Sequence, residues 1–179
     1  GLDVLNYKEQ LEQVTRSKKL LEDISGQEVI SFRSPALRLN KESAHALIGA
    51  GYKTDSSVAS QRFDMFMSFG GLKKLKWLFA PRLPYKINEN NIFKKGNSDF
   101  MEIPLSATLF PFVGTTMRIF PLITSIQKHI LNWETNFNKK PIVFDIHPNE
   151  FIDESDEPRE ISRRSNNPIS YFLQDFVRS

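Results

Sequence analysis

The chain has 179 residues, 40% of them hydrophobic, which suits one globular domain with a substantial core. Its net charge of +3 is too small to predict a nucleic-acid-binding protein, and the absence of cysteine excludes disulfides, thiolate metal sites and a cysteine nucleophile. No apolar run approaches the ~20 residues that span a bilayer. No signal peptide is evident either, which favours a cytoplasmic location.

Helical and strand patterns alternate in the first third of the chain. They predict a helix over 4–24 stopped by Gly26, a strand over 28–32, a helix capped by Asn40 and ended by Gly51, and a strand over 52–58. This alternation is typical of a parallel α/β sheet.

The remaining two thirds are less regular. Residues 59–98 combine lysines with aromatics and predict a long insertion or lid. A strand over 100–104, a helix opened by Pro121 and ending near 137, and a strand over 141–146 follow. An acidic-then-basic loop over 153–164 then leads to a last helix opened by Pro168. No repeat or linker divides the chain, so we expect a single domain over 1–179.

Three predicted strands end in polar residues of catalytic types. Arg33 and Pro35 follow the first strand, Asp55 ends the second, and His147 follows the last. In parallel α/β folds such strand ends meet at one edge and carry the active site. A histidine oriented by a carboxylate is a natural general acid, and an arginine can hold a second carboxylate as a base. The set predicts hydrolysis of an acyl group.

Four segments, in order, carry a family resemblance. "RSKKLLEDISGQEVISFRSP", "FRSPALRLNKESAHALIGAGYKTDSS", "EIPLSA" and "FDIHPNEFID" resemble the polysaccharide deacetylases, the NodB-homology group of carbohydrate esterase family four. The resemblance implies an α/β fold that is a portion of a distorted (β/α) barrel of the glycoside hydrolase/deacetylase type. It also implies metal-dependent hydrolysis of N-acetyl groups from N-acetylated sugars or polysaccharides.

The resemblance assigns the roles of the strand-end residues. Arg33 would hold the aspartate that acts as general base, Asp55 would orient and charge His147, and His147 would protonate the leaving amine. The expected substrate-binding residues are Pro35, which shapes the groove wall, with Ile146 and Tyr85.

The sequence departs from the family pattern in two ways. Ala36 after Pro35, and Asp145 two residues before His147, stand where many members have larger or apolar residues. The family's zinc-like divalent metal is held by an Asp and a His-x-x-x-His pair, and the three histidines, at 45, 129 and 147, form no such pair. We therefore expect the metal ligands and the base upstream of Gly1, with no metal held and no activity shown by this chain alone.

Two other interpretations stay open. A degenerate family member could bind glycan without hydrolysing it, using Trp77, Tyr85 and Trp133 to stack on sugar rings. Alternatively, the lysines and aromatics over 73–95 could form a nucleic-acid or anionic-surface patch. The favoured partner is an N-acetylated glycan, with no nucleic acid and no membrane span, and the oligomeric state is left open.

Overall fold

The computed structural model describes residues 1–60 and 77–147, which form a mixed α/β fold. The helices and strands of this part are α1 (Tyr7–Ser25), β1 (Ser31–Phe32), α2 (Ser43–Gly49), β2 (Thr54–Asp55), β3 (Tyr85–Asn88), β4 (Asn91–Lys95), β5 (Met101–Glu102), α3 (Gly114–Ile119) and α4 (Pro121–Asn138). Short 3-10 turns lie at Leu2–Val4 and Pro35–Leu37. The predicted α/β class is confirmed.

The five described strands form one sheet in the order β1-β2-β5-β3-β4. Strands β1, β2 and β5 run parallel, whereas β3 is antiparallel to both β5 and β4. Phe32, Asp55, Glu102 and Tyr85 are successive partners across the sheet. This register puts the carboxyl ends of the three parallel strands at one edge, with the acidic residues Asp55 and Glu102 side by side there.

The long first helix is confirmed, with the predicted stop. Asn6 and Glu9 form a capping box at its start, and Gly26 ends it in the left-handed conformation at φ 66°. Its buried residues are Gln10 and Val14, whereas the apolar side chains of its last two turns are exposed (Leu20, Leu21 and Ile24). The Gln10 amide donates to Asn40 and its carbonyl accepts from Ser43, which ties α1 to the start of α2.

Strands β1 and β2 are shorter than predicted, because side chains occupy the backbone groups that a longer ladder would need. Before β1, the Val29 N–H donates to Glu22 and its carbonyl accepts from Lys18. After β2, the Ser57 N–H donates to Asp55 and the Val58 N–H to Glu102. Helix α2 also begins later than predicted, since the Asn40 side chain accepts from the Glu42 N–H in a turn that precedes the helix.

The prediction of an irregular lid over 59–98 is wrong for its second half. Residues 85–95 form the β3–β4 hairpin of the sheet, in which Tyr85 and Ile87 are buried and Lys86 is exposed. This alternation has the period of two that marks a half-buried strand. Gly96 directly follows β4 and lies close to the backbone of β3. A Cβ at this position would lie 2.5 Å from the Ile87 carbonyl oxygen, so a side chain there would clash. Residues 61–76, with Lys73, Lys74 and Lys76, lie outside the described residues.

Helix α4 begins with Pro121 in its first turn, as predicted, directly after α3, which was not predicted. Its buried residues are Thr124, Gln127 and Leu131. The predicted strand over 141–146 is reduced to a parallel bridge between Val113 and Asp145. The loop over 153–164 and the helix opened by Pro168 lie outside the described residues.

A hydrophobic core joins α2 to the sheet. Leu47 of α2 clusters with Ile87, Ile92 and Leu105, all at most 1% exposed. Among the described helices, none is both long and apolar enough to cross a membrane.

Candidate active site at the strand ends

Arg33, directly after β1, joins three of the polar segments at the edge of the sheet. Its Nη1 donates to Asp145 Oδ1 at 2.6 Å, its Nη2 to Ser56 Oγ at 2.8 Å and its Nε to the Ser56 carbonyl at 3.0 Å. Asp145 is fixed in turn, because its backbone carbonyl accepts from Gly114 N–H at 2.8 Å. The arginine segment and the segment that ends in His147 therefore meet here.

Asp145 is a partner that the sequence did not identify. Arg33 was expected to hold an aspartate upstream of Gly1, and it is instead bound by an aspartate two residues before His147. The side chains of Arg33 and Asp145 are 31% and 23% exposed, so the pair lies where solvent and a ligand can reach it. The available signal was electrostatic, since a partly buried guanidinium needs a carboxylate and Asp145 lies near the end of the strand predicted over 141–146.

Asp55 ends β2, but its side chain turns into the core. It is 1% exposed, and its two oxygens accept from Ser57 Oγ at 2.7 Å and Ser57 N–H at 3.2 Å. The side chain of His147, which Asp55 was expected to orient, is exposed. The structure thus brings Arg33 to the segment that ends in His147, whereas the Asp55 side chain is buried in the core.

Glu102 is the second residue of this environment, and sequence reasoning did not name it as a site residue. It is the cross-strand partner of Asp55, is 0% exposed, and accepts the Val58 N–H through Oε1 at 2.9 Å. Burial and the neighbouring Asp55 carboxylate raise the pKa of Glu102 well above its ordinary value. Burial also raises the pKa of Asp55, against the opposing effect of hydrogen bonds from Glu102 and Ser57. The signal was available in "EIPLSA", where a glutamate stands inside a strand.

The three expected substrate-binding residues lie in different environments. Pro35 is exposed and lines a cleft of about 310 Å³ together with Phe32 and Val14, on the side of α1. Ile146 is half-buried between Asp145 and His147. Tyr85 does not have the exposed position expected of a substrate-binding residue. It is 4% exposed and its hydroxyl donates to the Ile92 carbonyl at 2.7 Å, so it is a core residue of the sheet.

The loop after Arg33 has an unusual backbone. Ala36 and Leu37 have φ values of 54° and 56°, in the left-handed region that side chains with a Cβ disfavour. Ser34 holds this loop, since its Oγ donates to the Arg38 carbonyl at 2.8 Å and its N–H donates to Ser57 Oγ at 2.7 Å. Backbone strain of this kind persists only where surrounding contacts over-determine it.

The carboxylates of the described site do not fit a resident zinc ion. Asp145 is bound by the Arg33 cation, and Asp55 and Glu102 contact each other in the core. Within residues 1–60 and 77–147, no three histidine, aspartate or glutamate side chains group as metal ligands would. The expectation that this chain holds no metal stays a prediction.

The residues of the two alternative interpretations are distributed differently. Of the three aromatics suggested for sugar stacking, Trp77 and Tyr85 are buried, whereas Trp133 is 69% exposed and stacks on Phe137 with ring centroids 5.9 Å apart. Of the cations of the basic segment, Arg82 binds Glu134 through two nitrogens and Lys86 pairs with Asp99 at 3.0 Å. These two ion pairs reduce the charge that a phosphate backbone would meet.

No protein-family model matches the chain, and comparison with curated proteins and with solved structures returned no match.

Proposed function

We propose that the chain is part of a metal-dependent deacetylase that hydrolyses the N-acetyl groups of N-acetylated sugars, of the polysaccharide deacetylase type. The observation that carries the proposal is the Arg33–Asp145 ion pair, which joins two segments of the family resemblance at the carboxyl ends of the parallel strands. A distorted (β/α) barrel belongs to the same proposal, with the described parallel strands as one arc of it.

In this proposal the Arg33–Asp145 pair is a positioning device for His147. Asp145 anchors the segment 143–147 to the end of β1, so the exposed imidazole of His147 lies near the edge of the sheet. Water adds to the acetyl carbonyl carbon and gives a proton to the aspartate base that the family resemblance implies. As the amide C–N bond of the acetylated sugar then breaks, the imidazolium donates its proton to the leaving nitrogen, which departs as a neutral amine. The family's divalent metal would be held by residues other than those of 1–60 and 77–147, since the carboxylates described there do not fit it.

The test is acetate release from N-acetylglucosamine oligomers by the protein that the complete reading frame encodes. His147→Ala should lower kcat by roughly 10²–10⁴, the usual contribution of a general acid. His129→Ala is the matched control, because His129 is an exposed histidine on α4. Equal rates for the two variants, or no acetate release by the unaltered protein, would refute the proposal. The chain of 179 residues alone should release no acetate.

Glycan binding without hydrolysis is the second candidate, favoured by the exposed Trp133–Phe137 stack on α4. Aromatic faces that stand free in solvent are suited to sugar rings. If this candidate is right, Trp133→Ala removes binding of N-acetylglucosamine oligomers, measured by calorimetry, while His147→Ala leaves binding unchanged and no acetate is released.

A further inference from the structure

The buried Asp55–Glu102 pair contains an oxygen atom, Glu102 Oε2, that has no hydrogen-bond donor among the described residues. Both side chains are at most 1% exposed and project from partner positions on adjacent parallel strands. Glu102 Oε1 accepts the Val58 N–H, but Oε2 receives no hydrogen bond from a donor group among the described residues. The Glu102 side chain interacts with the Asp55 carboxyl, its cross-strand partner, which is also an acceptor when ionised. Two carboxylates in such contact cannot both be ionised without a large cost.

The hydrogen bonds decide which of the two holds a proton. Asp55 accepts two bonds from Ser57, one from the hydroxyl and one from the backbone N–H, and such bonds favour the charged form. Glu102 accepts a single backbone bond, so protonation costs it less. The charged and titratable groups around Glu102 are Asp55 of β2, Tyr85 of β3 and Arg33 after β1. Arg33 lowers the pKa of Glu102, but its effect is smaller than those of burial and of Asp55, which raise it.

We propose that Glu102 is protonated at neutral pH and donates its carboxyl proton from Oε2 to Asp55, and that this shared proton positions the loop of Arg33. The connection is continuous. The proton of Glu102 binds Asp55, Asp55 accepts from Ser57 Oγ, and Ser57 Oγ accepts the Ser34 N–H at 2.7 Å. Glu102 is therefore a positioning residue. It acts from the core, through Asp55 and Ser57, on the loop that contains Arg33 and the strained turn at Ala36 and Leu37.

A second bond makes the same carboxyl hold the loop after β2. Through Oε1, Glu102 accepts from Val58, so a single protonated side chain fixes both strand-end loops, one directly and one through Asp55 and Ser57. The inference goes beyond the proposed function and does not depend on it, because it concerns a protonation state and its structural effect, both measurable without enzymatic activity.

The test uses Glu102→Gln, since a glutamine amide reproduces both bonds: its oxygen accepts from Val58 and its nitrogen donates to Asp55. Infrared difference spectra of the full chain at neutral pH should show a protonated-carboxyl C=O band that Glu102→Gln removes and that Glu28→Gln, at an exposed glutamate, retains. Glu102→Gln should also keep the NMR shift of Arg33 Nε–H at neutral pH, and remove the loss of stability that the unaltered chain shows as pH rises.

Two results would overturn the inference. One is the absence of a protonated-carboxyl band at neutral pH that depends on Glu102. The other is a Glu102→Gln protein that is unfolded, or that shifts the Arg33 signal as far as Glu102→Ala does, because the amide preserves every bond that the inference invokes. If Glu102→Ala does not fold, the infrared comparison of the unaltered chain with Glu102→Gln still decides the question.

Discussion

Two acidic centres lie at the same edge of the sheet, and they are neutralised in opposite ways. Asp145, near the surface, meets the guanidinium of Arg33, whereas Asp55, in the core, meets the carboxyl of Glu102. An ion pair keeps two charges that water can still solvate, while a buried carboxyl pair keeps one charge by retaining a proton. The two centres therefore differ in burial: the Arg33–Asp145 pair is accessible to ligands, whereas the Asp55–Glu102 pair supports the strand-end loops from the core.

The largest expected effect on stability comes from removing the buried acid. Glu102→Ala leaves the Val58 N–H without its acceptor and removes the bond that Glu102 donates to Asp55, which keeps only the bonds from Ser57, so the free energy of unfolding should fall by roughly 2–4 kcal/mol. Urea denaturation at pH 7 measures it. Glu102→Gln should lose far less, and an equal loss in the two variants would mean that the bonds of Glu102 do not matter.

The pH dependence of stability should separate the two centres. The pKa of Glu102 is raised on folding from an ordinary value of 4.5, so the stability due to its proton is complete below that value and is lost as pH rises through the raised pKa. Relative to Glu102→Gln, the unaltered chain should lose up to about 1.4 kcal/mol per pH unit in this window. Parallel pH curves for the two proteins would contradict a proton bound to Glu102.

The surface pair should contribute less, and its contribution should depend on salt. A double-mutant cycle of Arg33→Met and Asp145→Asn should give a coupling energy of about 0.5–1.5 kcal/mol, because both side chains are partly solvated. The coupling should fall as the salt concentration is raised. A coupling that is zero at low salt would remove the ion pair as the link between the arginine and histidine segments.

The smallest expected effect concerns the turn that the buried centre supports. Ala36→Gly relieves a residue at φ 54°, but it also loosens the unfolded chain, so stability should rise by about 0–1 kcal/mol. Thermal denaturation measures this change, and Ala50→Gly is the control, since Ala50 has φ −80° and should only lose stability. A clear loss at position 36 would show that the turn does not need a left-handed residue.

The sequence predicted the helices better than their buried faces. Gly26 and Pro121 are local signals, and α1 ends and α4 begins where these residues indicate. The buried residues were harder to predict, because α1 buries Gln10 and α4 buries Gln127, whose side-chain amides donate hydrogen bonds to distant loops. Such bonds depend on tertiary neighbours that the periodicity of one helix does not encode.

The same limit applies to the site. Strand-end reasoning identified Arg33 and Asp55 as polar residues at one edge, but it did not predict their surroundings within the described structure: Arg33 binds Asp145, and Asp55 is in the core. The pairing of Asp55 with Glu102 depends on β2 and β5 being neighbours in register. That adjacency arises from the fold, since β3 and β4, although earlier in the chain than β5, lie beyond it in the sheet.

The most direct test of the central claim, that the Arg33–Asp145 edge carries the chemistry, is the kcat of acetate release by the complete protein after Asp145→Ala. Loss of the anchor should misplace His147 and lower kcat by roughly 10- to 100-fold, with little change in the amount of folded protein. Asp99→Ala, which removes an exposed aspartate paired with Lys86 on the hairpin, should leave kcat unchanged. Equal kcat values for the two variants would contradict the claim.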